Sequence, residues 1–241
     1  RFSKHFNAGD AVVVPVLKSL SVDKLDALII SHGDNDHRGG AAAILTAMDV
    51  KQVLSNEKIT ADNVGACLAG KQWQWDGVSF TILHPAESIR GAGNNTSCVL
   101  HVRSPYGSIL LPADIEKEAE NEIVSRYSAV LHSNILVAPH HGSNTSSSED
   151  FIDAVAPELV LFPAGWMNRY HHPAKLVTQR LAERGIESRV TGDCGAIIVW
   201  AQQRGISVES WRLSNRKLWD RTETAVKCRK LVLGLPENPA L

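Results

Sequence analysis

Apolar residues in this chain gather into short runs of strand length, and between those runs they recur at intervals of three or four. Leu25 to Ser31, Val78 to Leu83, Ser97 to Val102, Ser108 to Leu111, Ile135 to Ala138 and Leu159 to Phe162 are predicted as β-strands. Ala196 to Trp200 and Val208 to Leu213 close the series as two more. Ala11 to Leu20, with Pro15 near its start, and Gly39 to Met48 are predicted as helices. Ile115, Ala119, Ile123 and Tyr127 recur every four residues, the spacing of a helix that buries one face. Ser147 followed by Asp150, ahead of Phe151, Ile152 and Val155, has the form of a capping box. Pro173 is expected in the first turn of a helix that Gly185 ends. Short strands alternating with helices predict an α/β protein.

From Ser214 onward the pattern dissolves into Arg216, Lys217, Arg221, Lys227, Arg229 and Lys230 among scattered apolar residues. The expected organisation is therefore one domain over residues 1–213 and a basic extension over 214–241. That extension reads as solvated chain, with a basic arm for a polyanion as the alternative. The sequence opens on Arg1 rather than Met, which reads as a piece of a longer protein.

At 241 residues the chain is long enough to bury a full core. An apolar content of 44% and a charged content of 21% are those of a globular protein and argue against disorder. Lys and Arg number 25 against 26 Asp and Glu, so no global basic field recruits nucleic acid, and such binding needs a local patch or a metal. No apolar run has the length of a membrane span, and no signal peptide is visible. Cys67, Cys98, Cys194 and Cys228 lack Cys-x-x-Cys spacing and read as separate buried thiols rather than a zinc knuckle. One or two disulfides stay open.

Chemistry concentrates where the apolar runs end. Ser31-His32-Gly33-Asp34-Asn35-Asp36-His37 follows the first run and precedes a Gly-Gly-Ala-Ala-Ala helix start. A turn leaving a strand for a helix can aim alternate side chains into one cavity, His32 and Asp34 at one metal, Asp36 and His37 at a second. Asp114 stands after Ile109 to Ala113, His140-His141-Gly142-Ser143 after Ile135 to Pro139, and His171-His172-Pro173 beyond Leu159 to Phe162. In layered α/β proteins such strand ends are where sites assemble. Taken alone, Asp114 reads equally as a helix cap and any one His as a surface imidazole. Together with the first motif they point to a shared cluster.

These residues carry a resemblance. His32-Gly33-Asp34-Asn35-Asp36-His37 is similar to the His-x-His-x-Asp-His signature of the metallo-β-lactamase-fold hydrolases, with Asp34 where the second His usually stands. Ser31 to Gly40, Asn94-Asn95-Thr96-Ser97, Asp114-Ile115-Glu116, Pro139 to Ser143 and His172-Pro173 follow in order between about Asn7 and Ala201. This set resembles the β-lactamase-like domain of ComEC-type competence proteins, which carry transforming DNA across the bacterial inner membrane. The resemblance implies an α/β fold, an αββα sandwich, and a dinuclear site. His32, Asp34, Asp36, His37, Asp114 and His140 would be the metal ligands, with Asp114 bridging. Asp36, Asp114, His141 and His172 would carry catalysis, and Ser143, Asn144, Asn95 and Ser97 would meet the substrate.

Three departures from the family pattern accompany it. Asn94, Asn95 and Ser97 stand where a His ligand is usual, Ala113 stands where Gly usually precedes the bridging Asp, and the first N-terminal strands with their Asp-x-Gly stretch are not in this sequence. The oxygen-rich ligand set moves preference from Zn²⁺ toward Mn²⁺. The implied function is a metal-dependent phosphodiesterase, a nuclease degrading the non-transported DNA strand during uptake. The implied setting is a soluble domain of an inner-membrane protein, on the periplasmic or extracytoplasmic face, with DNA and the transmembrane channel of the same protein as partners. Two alternatives stand beside it: a DNA-binding module with a degenerate metal site, and a phosphodiesterase acting on small molecules. β-Lactam hydrolysis fits less well, because it favours an apolar groove and zinc-type ligands.

Overall fold

The computed structural model describes residues 7–89, 93–215, 228–229 and 231–233. The chain divides into two compact units, Arg1–Lys71 with Ile82–Val99, and Gln72–Thr81 with Leu100–Leu241.

In the first unit, a π-helical turn, Gly9–Val13, runs into helix α1, Val14–Ser19. The single strand expected at 25–31 is two, β1 (Lys24–Leu25) and β2 (Leu28–Ile30). They divide because β1 pairs in parallel with β3 (Asp49–Val50) and β2 with β4 (Val53–Ser55), which in turn pairs with β5 (Val64–Gly65). Between β2 and β3 lie a one-turn helix α2, Asn35–Arg38, and helix α3, Ala41–Ala47. The helix expected to start at Gly39 starts two residues later because Gly40 is spent on a chain crossing. A Cβ on Gly9 would sit 2.3 Å from the Gly40 carbonyl oxygen, so this crossing admits only glycine. Val14, Ile44 and Met48 form one core cluster and Ile30, Ala41 and Val53 another. Cys67 is joined to Cys98.

The second unit holds most of a sheet of order β12-β11-β10-β9-β8-β7-β6. Its strands are β6 (Gln72–Trp75), β7 (Val78–His84), β8 (Val99–Ser104), β9 (Gly107–Leu111), β10 (Ile135–Val137), β11 (Leu159–Phe162) and β12 (Glu187–Val190). β9 to β12 pair in parallel, while β6 with β7 and β8 with β9 are antiparallel. Parallel neighbours need crossover connections, and helices α4 (Lys117–Tyr127), α5 (Glu149–Val155) and α6 (Lys175–Glu183) provide them. Their buried faces carry Ala119, Ile123, Phe151, Ile152, Val155, Val177 and Leu181.

The capping box expected at Ser147 does not form. The cap residue of α5 is Ser148, without a side-chain cap bond, and the fully buried carboxylate of Glu120 on α4 accepts the N–H groups of Ser147 and Ser148 at 2.5 and 2.9 Å. Burial raises the Glu120 pKa above the ordinary carboxylate range, against the pull of those bonds and of Arg180. Pro173 likewise stands before α6 rather than in its first turn. Its bond to His172 is cis, and the cap residue is Ala174.

A second sheet, antiparallel, contains β13 (Ile197–Gln202), β14 (Gly205–Ser210) and β15 (Leu231–Leu233), with one-turn helices α7 (Thr191–Cys194) and α8 (Trp211–Ser214) beside it. Ile206, Val208 and Leu233 pack with Ile135 and Leu159 of the larger sheet. The predicted strand at 208–213 ends at Ser210, where Trp211 turns into α8. The chain beyond Ser214 was expected as a solvated extension, yet Leu231–Leu233 pairs with β14 and Cys228 is bonded to Cys194. The four cysteines are thus two disulfides and not separate thiols. Of the basic residues singled out in that stretch, Arg229 pairs with Glu187 at 3.3 Å, while Arg216, Lys217, Arg221, Lys227 and Lys230 lie outside the described residues. Among the described residues no helix is long and apolar enough to cross a membrane.

Candidate metal centre

Each unit presents a cluster of ligand-type side chains. In the first, β2 hands directly to Ser31 and His32, and α2 carries Asp36 and His37. His32 is buried, and its ring lies 4.2 Å, centre to centre, from that of His37. The Ser31 hydroxyl sits between them, 3.1 Å from Nδ1 of His32 and 3.2 Å from Nδ1 of His37. Held by its Nδ1 edge, each ring turns Nε2 to a carboxylate: His32 to Asp34 at 3.7 Å and His37 to Asp36 at 3.9 Å. Ser31 is a residue that the sequence reading used only as part of a motif. In this geometry it sets the orientation of two imidazoles.

In the second unit, Asp114 follows β9, and the His140-His141 pair follows β10 in the adjacent parallel strand. Both turns use left-handed backbone: Ala113 has φ 52°, His140 φ 47° and His141 φ 54°, and the His140 N–H donates to the Ala113 carbonyl at 2.9 Å. Non-glycine residues adopt this region at a cost, so neighbouring structure must hold them there. Gly142 helps: it has φ 86°, and a Cβ would meet the Phe162 ring at 2.6 Å.

The consequence is that the two imidazoles diverge. Nδ1 of His141 donates to the Pro163 carbonyl at 3.1 Å, and its Nε2 faces Oδ2 of buried Asp114 at 3.5 Å. With Nδ1 protonated by that bond, a neutral ring directs its Nε2 lone pair at the carboxylate. Two acceptors so placed are reconciled by a cation between them, so the pair fits a divalent metal. The His140 ring instead lies against Glu116 and Thr145, with Nδ1 at 3.3 and 3.2 Å, and Thr145 donates to Glu116 at 2.9 Å. Of the two adjacent imidazoles it is thus His141 that faces Asp114, while the expected ligand His140 turns its Nδ1 to Glu116.

His172 lies beside this half-site, its ring 6.1 Å from that of His140 and stacked on Tyr170 at 5.7 Å. Burial lowers its pKa, and the neighbouring His140 and His141 lower it further against the opposing charge of Asp114. The expected substrate residues differ in placement. Ser143 is buried, with its hydroxyl 3.1 Å from that of Thr145, and Asn144 is exposed. In the first unit, Asn95 is half-buried in a 3₁₀ turn, Asn94–Thr96. Ser97 is fully buried, and its carbonyl accepts from Nδ1 of His84 at 3.0 Å, so its place is in the interior and not at a substrate surface. Glu116, Thr145, Tyr170 and His84 went unassigned from sequence. Only Glu116, next but one to Asp114, carried a signal that could have marked it.

The family model described as the metallo-beta-lactamase superfamily matches residues 8–166. Competence protein ComA of Neisseria gonorrhoeae is 34% identical over 206 residues, 86% of this chain and 30% of that protein. ComE operon protein 3 of Bacillus subtilis is 32% identical over 207 residues, covering 80% of this chain and 26% of that protein. The chain therefore spans less than a third of the length of these curated relatives. Among solved structures, the metallo-beta-lactamase fold protein YhfI of Bacillus subtilis superposes with a TM-score of 0.51 at 12% identity, over 76% of this chain and 81% of that one, a likeness of fold alone. With more than half of its residues inside the family match, this chain belongs to the metallo-β-lactamase superfamily and is related to the competence proteins.

Proposed function

We propose that this domain is a metal-dependent phosphodiesterase that degrades one strand of DNA during uptake in natural transformation. In this reading Asp36 and His37, with His32 and Asp34, hold divalent metal in the first unit, and Asp114 and His141 hold it in the second. His141 takes the ligand role that the motif had given to His140. The observation that carries the reading is the His141 ring, tethered to Pro163 by one nitrogen and aimed at buried Asp114 by the other. Two ions fit the number of donors, and three carboxylates beside three imidazoles, with Asp34 where the family pattern has a His, favour Mn²⁺ over Zn²⁺.

When bound, such ions supply Lewis acidity to a phosphoryl group and charge for the attack of water on it. The chain's own residues do the rest. Asp114 balances the cationic charge, Ser143 and Asn144 donate to the free phosphate oxygens, and His172 exchanges a proton with the leaving oxygen. His140, held by Glu116 and Thr145, keeps the left-handed turn that orients His141. The two disulfides suit an oxidising compartment and support a setting on the extracytoplasmic side of the inner membrane, with the domain attached to the channel portion of a longer protein.

The test is cleavage of linear DNA in Mn²⁺, Mg²⁺ or Zn²⁺, with Asp114→Ala beside the wild type. The variant is expected to lose more than the ~10–100-fold that outer-shell changes cost, while DNA binding, carried by phosphate contacts, stays within a few-fold. Equal loss of binding and cleavage, or a wild type that binds DNA and cuts it in none of the three metals, would replace the nuclease with a DNA-binding module.

A further inference from the structure

A cavity of about 900 Å³ opens in the second unit, with His172 in its lining and neither His141 nor Asp114 among its walls. Its walls are the loop after β11, strand β12 and helix α7. That loop lifts Trp166 and Met167 into solvent, 62% and 79% exposed, and both line the cavity. Tyr170, 62% exposed, stacks on His172 and carries the Arg169 guanidinium 4.6 Å over its ring. A large aromatic and a thioether left in water on one loop expose much apolar area and invite a flat apolar partner.

The lining also contains Arg189, a buried guanidinium at 4% exposure. Nη1 donates to Glu187 and to the Ser188 carbonyl, both at 2.9 Å. Its Nε and Nη2 have no hydrogen-bond partner among the described residues. Leaving two N–H groups of a buried cation unmade is costly, and nearly all such groups in native proteins are satisfied by something. Arg229 stands at the rim, and Glu187 is shared between the two arginines. Asp193 also reaches the lining, so an anion would be selected by directed N–H groups and not by net charge. An exposed indole and a guanidinium with spare donors lining one cavity match a base and its phosphate.

We propose that this cavity is a nucleotide subsite for single-stranded DNA, in which a base stacks on Trp166 and its phosphodiester is held by Arg189. The proposal rests on the nuclease reading, since it supplies the strand that passes His172. It goes further in naming where an unpaired base is gripped. It accounts for the exposure of the aromatic loop and for the unmet donors of Arg189 with one ligand.

The experiment is fluorescence anisotropy of labelled (dT)12, and of an abasic strand of equal length, in EDTA, so that neither metal nor turnover enters. Trp166→Ala is expected to weaken (dT)12 binding about ten-fold and to leave the abasic strand where it was. Arg189→Gln is expected to weaken both strands. Because Arg189 is buried, its variant counts only if it melts as the wild type does, and exposed Trp166 decides the matter otherwise. Unchanged (dT)12 binding in Trp166→Ala, or equal losses on both strands, overturns the subsite. A wild type that grips (dT)12 through Trp166 yet cuts no DNA sinks the nuclease reading alone. Cleavage with normal (dT)12 binding in Trp166→Ala sinks the subsite alone.

Discussion

Lowering the pH from 7 to 5 should destabilise this domain through one buried imidazole, His101 on β8. His101 is 3% exposed, and its Nε2 lies 3.0 Å from the Ser133 hydroxyl. Burial, and then the positive charge of Arg103, lowers its pKa from 6.5 to about 4. In the unfolded chain the same ring titrates near 6.5, so between about 4 and 6.5 the unfolded state binds more protons than the folded one. Stability is then lost as pH falls through 6.5, and the loss levels off near 4. At 1.36 kcal/mol per pH unit, the step from pH 7 to pH 5 costs about 1.8 kcal/mol, roughly 20-fold in the folded-to-unfolded ratio. Urea unfolding at both pH values, in EDTA, of wild type and of His101→Gln isolates this term. The other titrating groups cancel in the difference. With a slope near 2 kcal/mol/M, the wild-type midpoint should fall about 0.9 M further than the variant's. Midpoints that fall in parallel would refute the assignment.

Two further outcomes follow from the same geometry. Ser31→Ala should weaken divalent-metal binding by ~10–100-fold in a chelator competition, because the hydroxyl orients both His32 and His37, and Ser31→Thr should restore it; unchanged affinity would remove Ser31 from the site. Glu120→Ala should cost about 2–4 kcal/mol in urea unfolding, since it strips two buried N–H groups of their acceptor, and a cost under about 0.5 kcal/mol would mean that water replaces the carboxylate.

The strand-end motifs were legible in the sequence because chemistry and periodicity coincide there. Asp114 and the His140-His141 pair stand after adjacent parallel strands, β9 and β10, and an apolar run followed by a polar ligand type is enough to find them. Which imidazole turns toward Asp114 was not legible. That depends on left-handed backbone at Ala113, His140 and His141, none of which is glycine, and on a carbonyl supplied by Pro163 from another loop. The α5 cap failed for a related reason: the local Ser147–Asp150 pattern loses to Glu120, which is remote in sequence and better buried. Cysteine spacing revealed neither disulfide, since Cys67–Cys98 and Cys194–Cys228 close loops of 31 and 34 residues that no local motif marks. β15 is three residues long and sits in a basic stretch, too short for alternation to announce itself.

That short strand has a bearing on where this domain can be cut. β14 is the middle strand of its sheet only because Leu231–Leu233 pairs along one side. A protein ended at residue 214, where the apolar pattern fades, would present β14 with an open row of backbone donors and acceptors, the template on which sheets recruit one another. The same cut would strip Cys194 of its partner and leave a thiol able to cross-link neighbouring molecules under oxidising conditions. Aggregation by edge pairing and covalent dimerisation would then be consequences of the chosen boundary, and β15 acts as the domain's protection against its own kind.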